Sequence, residues 1–220
     1  MVRSKEQVRA TYDRIAESYA AAREQPWPDV LDFITGLPSG DVVLDVGCGH
    51  GRHARPLALT GHSVVGIDLS RRLLAIGKRA ASSSPQFRAI DWLGGDATAL
   101  PFADATFDAA LCIAVLHHLP TRQDRVLALT EMGRVLRPGS PAFLSVWSLD
   151  DPYLEKALGG RPKKPDVEIP WRLPDGTAVP RSYHLFKEGE LERLIIESRL
   201  EGESFFRGSG NFFALARTHG

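Results

Sequence analysis

The stretch VVLDVGCGHG, residues 42–51, decides how this chain folds. Its apolar start, residues 42–46, predicts a buried strand of a parallel sheet, because both faces of such a sheet are covered and β-branched side chains fit it well. Glycines follow at positions 47, 49 and 51. Glycine allows a sharp turn and the close approach of a ligand, and a helix starting near Gly51 would point unpaired N–H groups at that ligand. We therefore expect a nucleotide-type binding turn after this strand.

The spacing of these glycines narrows the choice of ligand. They follow the pattern G-x-G-x-G, whereas the dinucleotide-binding fingerprint is G-x-G-x-x-G. Asp45 stands two residues before the first glycine. An acid so close to the turn favours a cationic nucleoside cofactor over a pyrophosphate.

Two further acids follow predicted strands. Asp68 ends the second strand and lies 23 residues after Asp45, a spacing at which an acid in a β-α-β unit accepts hydrogen bonds from ribose hydroxyls. The alternative is that Asp68 or Ser70 caps the following helix. Asp96 follows the weaker third strand, where a carboxylate can accept a hydrogen bond from an adenine amino group.

The composition excludes several classes of protein. The 220 residues are 43% hydrophobic, enough for one large core, so we expect a single domain over residues 1–220. Lys+Arg and Asp+Glu each number 27, so no overall positive field marks a nucleic-acid binder. The longest apolar run, residues 109–116, is far below the ~20 residues that cross a membrane, and from the polar residues at the start of the chain we expect no secretory signal. With Cys48 and Cys112 in apparent core positions, we expect a reduced, cytoplasmic protein without membrane contact.

Strands and helices alternate through most of the chain. Residues 4–24 carry apolar side chains at helical spacing, and we interpret Tyr12 and Tyr19 among them as packing residues. This helix lies within an N-terminal segment, 4–30, that we expect to form a helix and a substrate-side stretch. In this segment Pro26 and Pro28 should hold Trp27 extended. With helices between them, the predicted parallel strands cover residues 42–46, 63–67, 88–93, 107–115 and 141–147.

The C-terminal third departs from this alternation. Residues 148–181 contain six prolines and little periodicity, so we expect an irregular insertion on the substrate side. Strands at 200–206 and 211–216 predict an antiparallel terminal hairpin. The predicted fold is therefore α/β: a Rossmann-like, doubly wound, seven-stranded and mostly parallel sheet with its ligands at the carboxyl edge.

Longer motifs carry a family resemblance. VLDVGCGHG, GIDLS and GDATALPF, in this order, resemble the class I S-adenosylmethionine-dependent methyltransferases across essentially the whole chain. A narrower set, ATYDRIAESYAAAREQPWPDV, IAVLHHLPTRQDRVLALTEMGRVLRPG and RSYHLFKEGELERL, resembles the wobble-uridine tRNA methyltransferases. That family esterifies 5-carboxymethyluridine in the anticodon and includes the methyltransferase domain fused to an AlkB-type oxygenase.

The resemblance implies an S-adenosylmethionine-dependent methyltransferase and assigns two sets of residues. The first set binds the cofactor, S-adenosyl-L-methionine, and comprises Asp45, Gly47, Gly49, Asp68, Leu69, Asp96, Ala97 and Ile113. The second set borders the substrate and comprises Arg23, Trp27, His117, Trp147, Arg181, Tyr183 and His184.

The chemistry of a carboxylate substrate selects the catalytic candidates. A carboxylate is already ionised at neutral pH, so no strong general base is required. The site needs a cation that orients one oxygen, and the planar fork of arginine does this better than lysine. We expect Arg23 and Arg181 in that role. His117 is the third candidate because it follows a buried strand, although His117 or His118 could instead cap the next helix.

Partners and competing functions complete the expectations. The family resemblance implies tRNA as substrate and a small zinc-binding activator protein as a subunit, with no metal in the chain itself. Trp27, Trp147, Trp171 and Tyr183 could stack on splayed anticodon bases, or Trp147 and Trp171 could simply pack. One alternative function is a small-molecule O- or C-methyltransferase with the same cofactor site, and another is a non-catalytic cofactor-binding scaffold.

Overall fold

A computed structural model describes residues 4–220 of the chain. Its helices are α1 (Lys5–Ala22), α2 (Pro28–Thr35), α3 (Ala54–Leu59), α4 (Arg71–Ser82), α5 (Arg122–Val135), α6 (Pro152–Leu158) and α7 (Glu190–Ile196). Its strands are β1 (Val42–Val46), β2 (Ser63–Asp68), β3 (Ile90–Gly94), β4 (Ala109–Ile113), β5 (Pro141–Trp147), β6 (Asp166–Arg172), β7 (Ala178–His184), β8 (Leu200–Gly208) and β9 (Asn211–Thr218). Short 3₁₀ turns cover Pro85–Phe87 and Leu116–His118.

Seven of these strands form one sheet in the order β3-β2-β1-β4-β5-β9-β8. The first five pair in parallel, while β9 is antiparallel to both β5 and β8. The predicted fold class is therefore confirmed, including the antiparallel terminal hairpin. The strand order reverses between β1 and β4, where the carboxyl ends of an open α/β sheet leave a crevice for ligands.

Apolar layers cover both faces of this sheet. Successive residues of β1 alternate between them: Val43 joins the layer with α2 and α3, and Leu44 joins the layer with α5 and α7. Because both faces are covered, β4 is buried along its whole length. Among the described residues, no helix is long and apolar enough to span a membrane.

The N-terminal segment holds one helix more than we expected. Trp27 is extended as predicted, with φ −80° and ψ 139°, and it caps the unpredicted helix α2. Pro28 begins that helix, where the missing N–H of proline costs no hydrogen bond. Pro28 therefore separates two helices instead of opening a long extended stretch.

The prediction that residues 148–181 are irregular is wrong. This segment contains α6 and most of a two-stranded antiparallel sheet, β6–β7. Proline does not prevent the hairpin, because Pro170 and Pro180 lie opposite each other on exposed positions of a sheet with only two strands. There a strand can lack an N–H without breaking a ladder on its outer side. The number of prolines therefore predicted an irregular segment where the chain forms a two-stranded hairpin.

Candidate active site

A cleft of about 1010 Å³ opens at the carboxyl ends of β1, β2 and β4. Six of the predicted cofactor residues lie on its wall: Gly47, Gly49, Asp68, Leu69, Ala97 and Ile113. The glycines shape it, since Gly47 has φ +69° and a Cβ atom there would lie 2.2 Å from a methyl group of Val115. A larger residue at position 47 would be strained and would clash with that wall.

Asp68 holds the glycine turn in place. One carboxylate oxygen accepts a hydrogen bond from the Gly49 N–H at 2.8 Å, and the other accepts from the Ser70 N–H at 2.7 Å. Ser70, through its hydroxyl, caps α4. Burial raises the pKa of the Asp68 carboxyl to about 6, while these two backbone hydrogen bonds pull it down. Asp68 therefore links the binding turn to the end of β2 and lies on the cleft wall.

Asp45 is a buried acid behind the turn and is not on the cleft wall. Asp45 is only 2% exposed. Its Oδ2 atom has no hydrogen-bond partner among residues 4–220. Burial, and then the charge of Asp68, raises the pKa of Asp45 to about 7. A cationic group bound in the cleft would stabilise both carboxylates. The glycine turn and these two acids thus fit a cationic nucleoside such as S-adenosylmethionine.

Asp96 is engaged by the protein itself. Its carboxylate accepts hydrogen bonds from the Lys5 ammonium at 2.9 Å and from the backbone and hydroxyl of Thr98. Burial alone would raise its pKa, but these hydrogen bonds outweigh burial and lower it. Its neighbours Gly95 and Ala97 line the cleft, so Asp96 lies beside the wall and ties it to α1.

Helix α1 forms one wall of the cleft. Val8, Tyr12 and Tyr19 from one face of this helix line the cavity. The same helix is tied to the start of α4: the Asp13 carboxylate accepts hydrogen bonds from the Ser70 hydroxyl at 2.7 Å and from the Arg72 N–H at 3.1 Å. The spacing of the tyrosines on one helical face predicted packing, and the structure places both of them at the binding cavity.

The two predicted catalytic arginines lie together on one indole ring. The Cζ atom of Arg23 is 5.6 Å from the centroid of Trp171, and that of Arg181 is 4.9 Å from it. Arg181 also lies over Tyr183 at 5.2 Å. Arg181 is 8% exposed, and its Nε atom has no hydrogen-bond partner among the described residues. An anion bound beside the Trp171 ring would stabilise the buried charge of Arg181, whose Nε atom has no protein partner among the described residues.

The two adjacent histidines take different positions. His117 Nδ1 accepts a hydrogen bond from the Trp147 N–H at 3.0 Å, and the ring lines a second cavity of about 670 Å³. His118 lines both cavities and contacts the Tyr12 hydroxyl at 2.8 Å through Nε2. Burial, together with neighbouring positive groups, lowers the pKa of both histidines, to about 3 for His118. Both are neutral at pH 7, and His118 is the histidine that reaches the cofactor cleft.

The remaining predicted substrate residues surround this second cavity or support its walls. Tyr183 and His184 line it. The His184 ring contacts the carboxylates of Asp166 and Glu190, each at 2.7 Å. The Trp147 indole N–H donates to the Asp151 carboxylate at 2.6 Å. These side chains are therefore held in fixed orientations.

Trp27 and Arg52 form a separate pair at the cleft. The Cζ atom of Arg52 lies 5.0 Å from the Trp27 ring centroid, and Arg52 lines the cavity. Burial lowers the pKa of Arg52. Sequence reasoning did not place Arg52 in the site, although a basic residue directly after the glycine turn was a usable signal. No cluster of residues suited to a metal ion occurs among residues 4–220.

Comparison with known proteins supports the sequence resemblance. The methyltransferase domain family matches residues 44–144. A tRNA (carboxymethyluridine(34)-5-O)-methyltransferase from Schizosaccharomyces pombe is 30% identical over 209 residues, covering 86% of this chain and 86% of that protein. The mouse tRNA (carboxymethyluridine(34)-5-O)-methyltransferase ALKBH8 is 37% identical over 147 residues, which cover 66% of this chain and 20% of the mouse protein. This chain thus spans about a fifth of the length of the ALKBH8 relatives from mouse, Xenopus tropicalis and Macaca fascicularis.

Solved structures share the fold. An S-adenosylmethionine-dependent methyltransferase from Methanosarcina mazei has a TM-score of 0.72 and 25% identity, covering 89% of this chain and 99% of the other. A putative methyltransferase in complex with the Haloferax volcanii Trm112 methyltransferase activator also has a TM-score of 0.72, at 17% identity, covering 97% of this chain and 98% of the other. The chain therefore belongs to the tRNA (carboxymethyluridine(34)-5-O)-methyltransferase family, within the S-adenosylmethionine-dependent class I methyltransferases.

Proposed function

We propose that this chain transfers a methyl group from S-adenosylmethionine to the carboxylate of 5-carboxymethyluridine at the wobble position of tRNA. One observation carries the proposal: the guanidinium groups of Arg23 and Arg181 lie over the same ring, that of Trp171, at 5.6 and 4.9 Å. Guanidinium groups suit a carboxylate, whose two oxygens lie in one plane and can accept two parallel hydrogen bonds. The names of the fission yeast and mouse relatives, which specify carboxymethyluridine 34 of tRNA, support the same substrate.

The cofactor half of the site is assigned to the residues around the glycine turn. Gly47 and Gly49 let the cofactor approach the protein backbone. The negative charge of Asp45 favours the cationic end of the cofactor. Asp68 is assigned to the ribose. The other assigned contacts are Leu69, Asp96, Ala97 and Ile113, with the adenine beside Asp96 and Ala97. When bound, S-adenosylmethionine supplies an electrophilic methyl group on a sulfonium.

The protein residues act by orientation. A carboxylate oxygen of the substrate bonds to the methyl carbon while the methyl–sulfur bond breaks, and no proton moves. Carboxyl pKa values lie near 4, so the nucleophile is already ionised at pH 7. The neutral rings of His117 and His118 therefore need not act as bases. Arg23 and Arg181 are assigned to hold the carboxylate in line with the methyl group, where positioning supplies most of the rate.

We assign the substrate nucleoside to the second cavity. His117, Tyr183 and His184 line that cavity, which adjoins the cofactor cleft at His118. Trp147 holds His117 through its backbone N–H. We assign Trp27 to the border of the site on the other side of the cleft, beside Arg52.

Two macromolecular partners follow from the proposal. The segment of residues 148–181 is assigned to tRNA, because its exposed cations, Arg161, Lys163 and Lys164, lie next to the hairpin that carries Trp171. A small zinc-binding activator is proposed as a subunit, supported by the Haloferax complex with the same fold. The edge strand β3, with Leu93 exposed, offers a free sheet edge for such a partner. Free Cys48 and Cys112 suit the cytoplasm as the location.

The direct test uses two anticodon stem–loops that differ only in carrying 5-carboxymethyluridine or uridine at the wobble position. The protein, alone and co-expressed with a candidate activator, is incubated with cofactor, and the nucleosides are analysed by mass spectrometry. We expect the methyl ester from the modified RNA only. Methylation of small molecules but of neither RNA would establish the small-molecule alternative. Cofactor binding without transfer to any acceptor would establish the scaffold alternative.

A further inference from the structure

The ring of Trp171 contacts both proposed carboxylate-binding arginines. It lies on β6, while Arg23 follows α1 and Arg181 lies on β7. Its register partner on β7 is Val179, two residues from Arg181. The indole therefore stands where the N-terminal helix and the hairpin meet.

The indole is itself fixed from the side of the helix. Its Nε1–H donates a hydrogen bond to the Ser18 hydroxyl at 2.8 Å, and the Tyr19 ring lies 5.4 Å from it, centroid to centroid. Ser18 and Tyr19 are five and four residues before Arg23 on the same segment. One hydrogen bond and one aromatic contact thus set the distance between hairpin and helix at the level of the arginines.

The Trp171 ring counteracts the repulsion and the rotamer freedom of the two arginines. Two guanidinium groups repel each other, and each side chain carries much rotamer freedom that must be lost before both can bind one anion. The negative face of an indole attracts a cation and fixes its plane. A single ring in contact with both groups reduces the repulsion and orders the pair before the substrate arrives.

We propose that Trp171 is a positioning residue that orders Arg23 and Arg181 as one anion-binding pair and so sets the preference for carboxymethyluridine over uridine. This inference rests on the proposed function. Trp171 acts through the arginines and does not itself touch the carboxylate. Its ring already meets two guanidinium groups and Tyr19, so it is not the platform for a splayed anticodon base.

The test measures binding of the two stem–loops, with 5-carboxymethyluridine or with uridine, to the cofactor-bound protein. One cation–π contact contributes roughly two- to fivefold to affinity, so Trp171→Leu, which removes two, should reduce the preference for the modified RNA about 4- to 25-fold. Affinity for the unmodified RNA and for the cofactor should stay within about twofold. Trp171→Phe, which keeps an aromatic face, should restore most of the preference.

Control variants separate the possible outcomes. Phe205→Leu, an exposed aromatic on the far edge strand β8, should leave the preference unchanged. Equal weakening of both RNAs by Trp171→Leu would show base stacking and overturn the inference. Loss of preference in Arg181→Ala but not in Trp171→Leu would overturn the role of Trp171 alone. An unchanged preference in Arg181→Ala would overturn the proposed function itself.

A milder variant keeps the inference testable if Trp171→Leu does not fold. Ser18→Ala removes the hydrogen bond that fixes the indole and leaves every aromatic ring in place. We expect it to lower the preference for the modified RNA by about two- to threefold, as for one neutral hydrogen bond. A full preference in Ser18→Ala would contradict the positioning role.

Discussion

The cofactor cleft and the arginine pair are built by different means. The cleft is made largely of backbone: positive φ at Gly47, and N–H groups of Gly49 and Ser70 fixed by the carboxylate of Asp68. The arginine pair is made of side chains from elements far apart in sequence, joined by the Trp171 ring. The first kind of site is specified within one β-α-β unit. The second exists only after the hairpin has packed on the N-terminal helix, so mutations should affect the two halves separately.

The largest expected effect comes from removing one arginine. Loss of one partner of a buried charged contact commonly costs ~2–5 kcal/mol, so Arg181→Ala should lower turnover of carboxymethyluridine tRNA by about 30- to several-thousand-fold. Cofactor affinity should stay within about twofold. Arg23→Ala should act in the same direction but less strongly, because Arg23 is exposed. Steady-state kinetics with calorimetry of cofactor binding measures both; loss of cofactor binding in Arg181→Ala would mean that the halves are not separate.

The converse variant is Asp68→Ala in the cofactor half. Its carboxylate fixes two backbone N–H groups and is assigned to the ribose, so cofactor affinity should fall tenfold or more, since charge-assisted hydrogen bonds contribute ~1.5–3 kcal/mol. The preference between the two stem–loops should persist at saturating cofactor. Calorimetry that finds unchanged cofactor affinity would remove Asp68 from the site.

The buried acid Asp45 predicts a pH dependence. The pKa of Asp45 in the folded protein, about 7, lies above that of an unfolded aspartate. Protonated Asp45 therefore contributes to the free energy of unfolding at low pH, and this contribution is lost as the pH rises to 7. Asp45→Asn stays neutral, so without cofactor its melting temperature should exceed that of the wild type by a margin that grows between pH 4 and 7. Thermal melting across this range checks the sign.

Cofactor binding should show the opposite effect of the same substitution. A bound cation favours the charged form of Asp45, so cofactor affinity of the wild type should rise as the pH increases towards 7 and then level off. At pH 8, cofactor affinity of Asp45→Asn should be lower than that of the wild type. The rise of affinity with pH should then be due to Asp68 alone and lie near pH 6. Equal pH profiles in the two proteins would place Asp45 outside the cationic site.

The smallest expected effect concerns tRNA backbone contacts. Lys163 is exposed in the segment assigned to tRNA, so Lys163→Ala should weaken tRNA binding by about two- to threefold at moderate salt and reduce the salt dependence by about one contact. Turnover at saturating tRNA should not change. Lys78→Ala, on the exposed side of α4, is the matched control, and an equal effect there would show that any lost charge suffices.

The same contrast explains what the sequence could predict. The seven strands of the main sheet, the glycine turn and the positions of Asp68 and Asp96 at or after strand ends follow from local patterns of apolar residues and glycines, and they were predicted correctly. The β6–β7 hairpin was missed because proline density hides an edge hairpin in which Pro170 and Pro180 lie opposite each other. The hydrogen bond from Trp171 to Ser18 joins residues 153 positions apart, and no local pattern contains that information.

The histidines illustrate the limit at the level of one residue. His117 and His118 follow the same buried strand, and spacing cannot tell which of them reaches the cleft. The 3₁₀ turn over Leu116–His118 decides it, since it leaves His117 bonded to the Trp147 N–H and places His118 against Tyr12. Tyr12 itself was interpreted as a packing residue because helical spacing alone does not show what a helix covers.

The most direct test of the central claim is a crystal structure of the protein with S-adenosylhomocysteine and a stem–loop carrying 5-carboxymethyluridine. We expect the carboxylate of the modified base within hydrogen-bond distance of the Arg181 guanidinium, with Arg23 beside it and Trp171 still in contact with both. A carboxylate bound elsewhere, with the two arginines paired to RNA phosphates or left in solvent, would contradict the account.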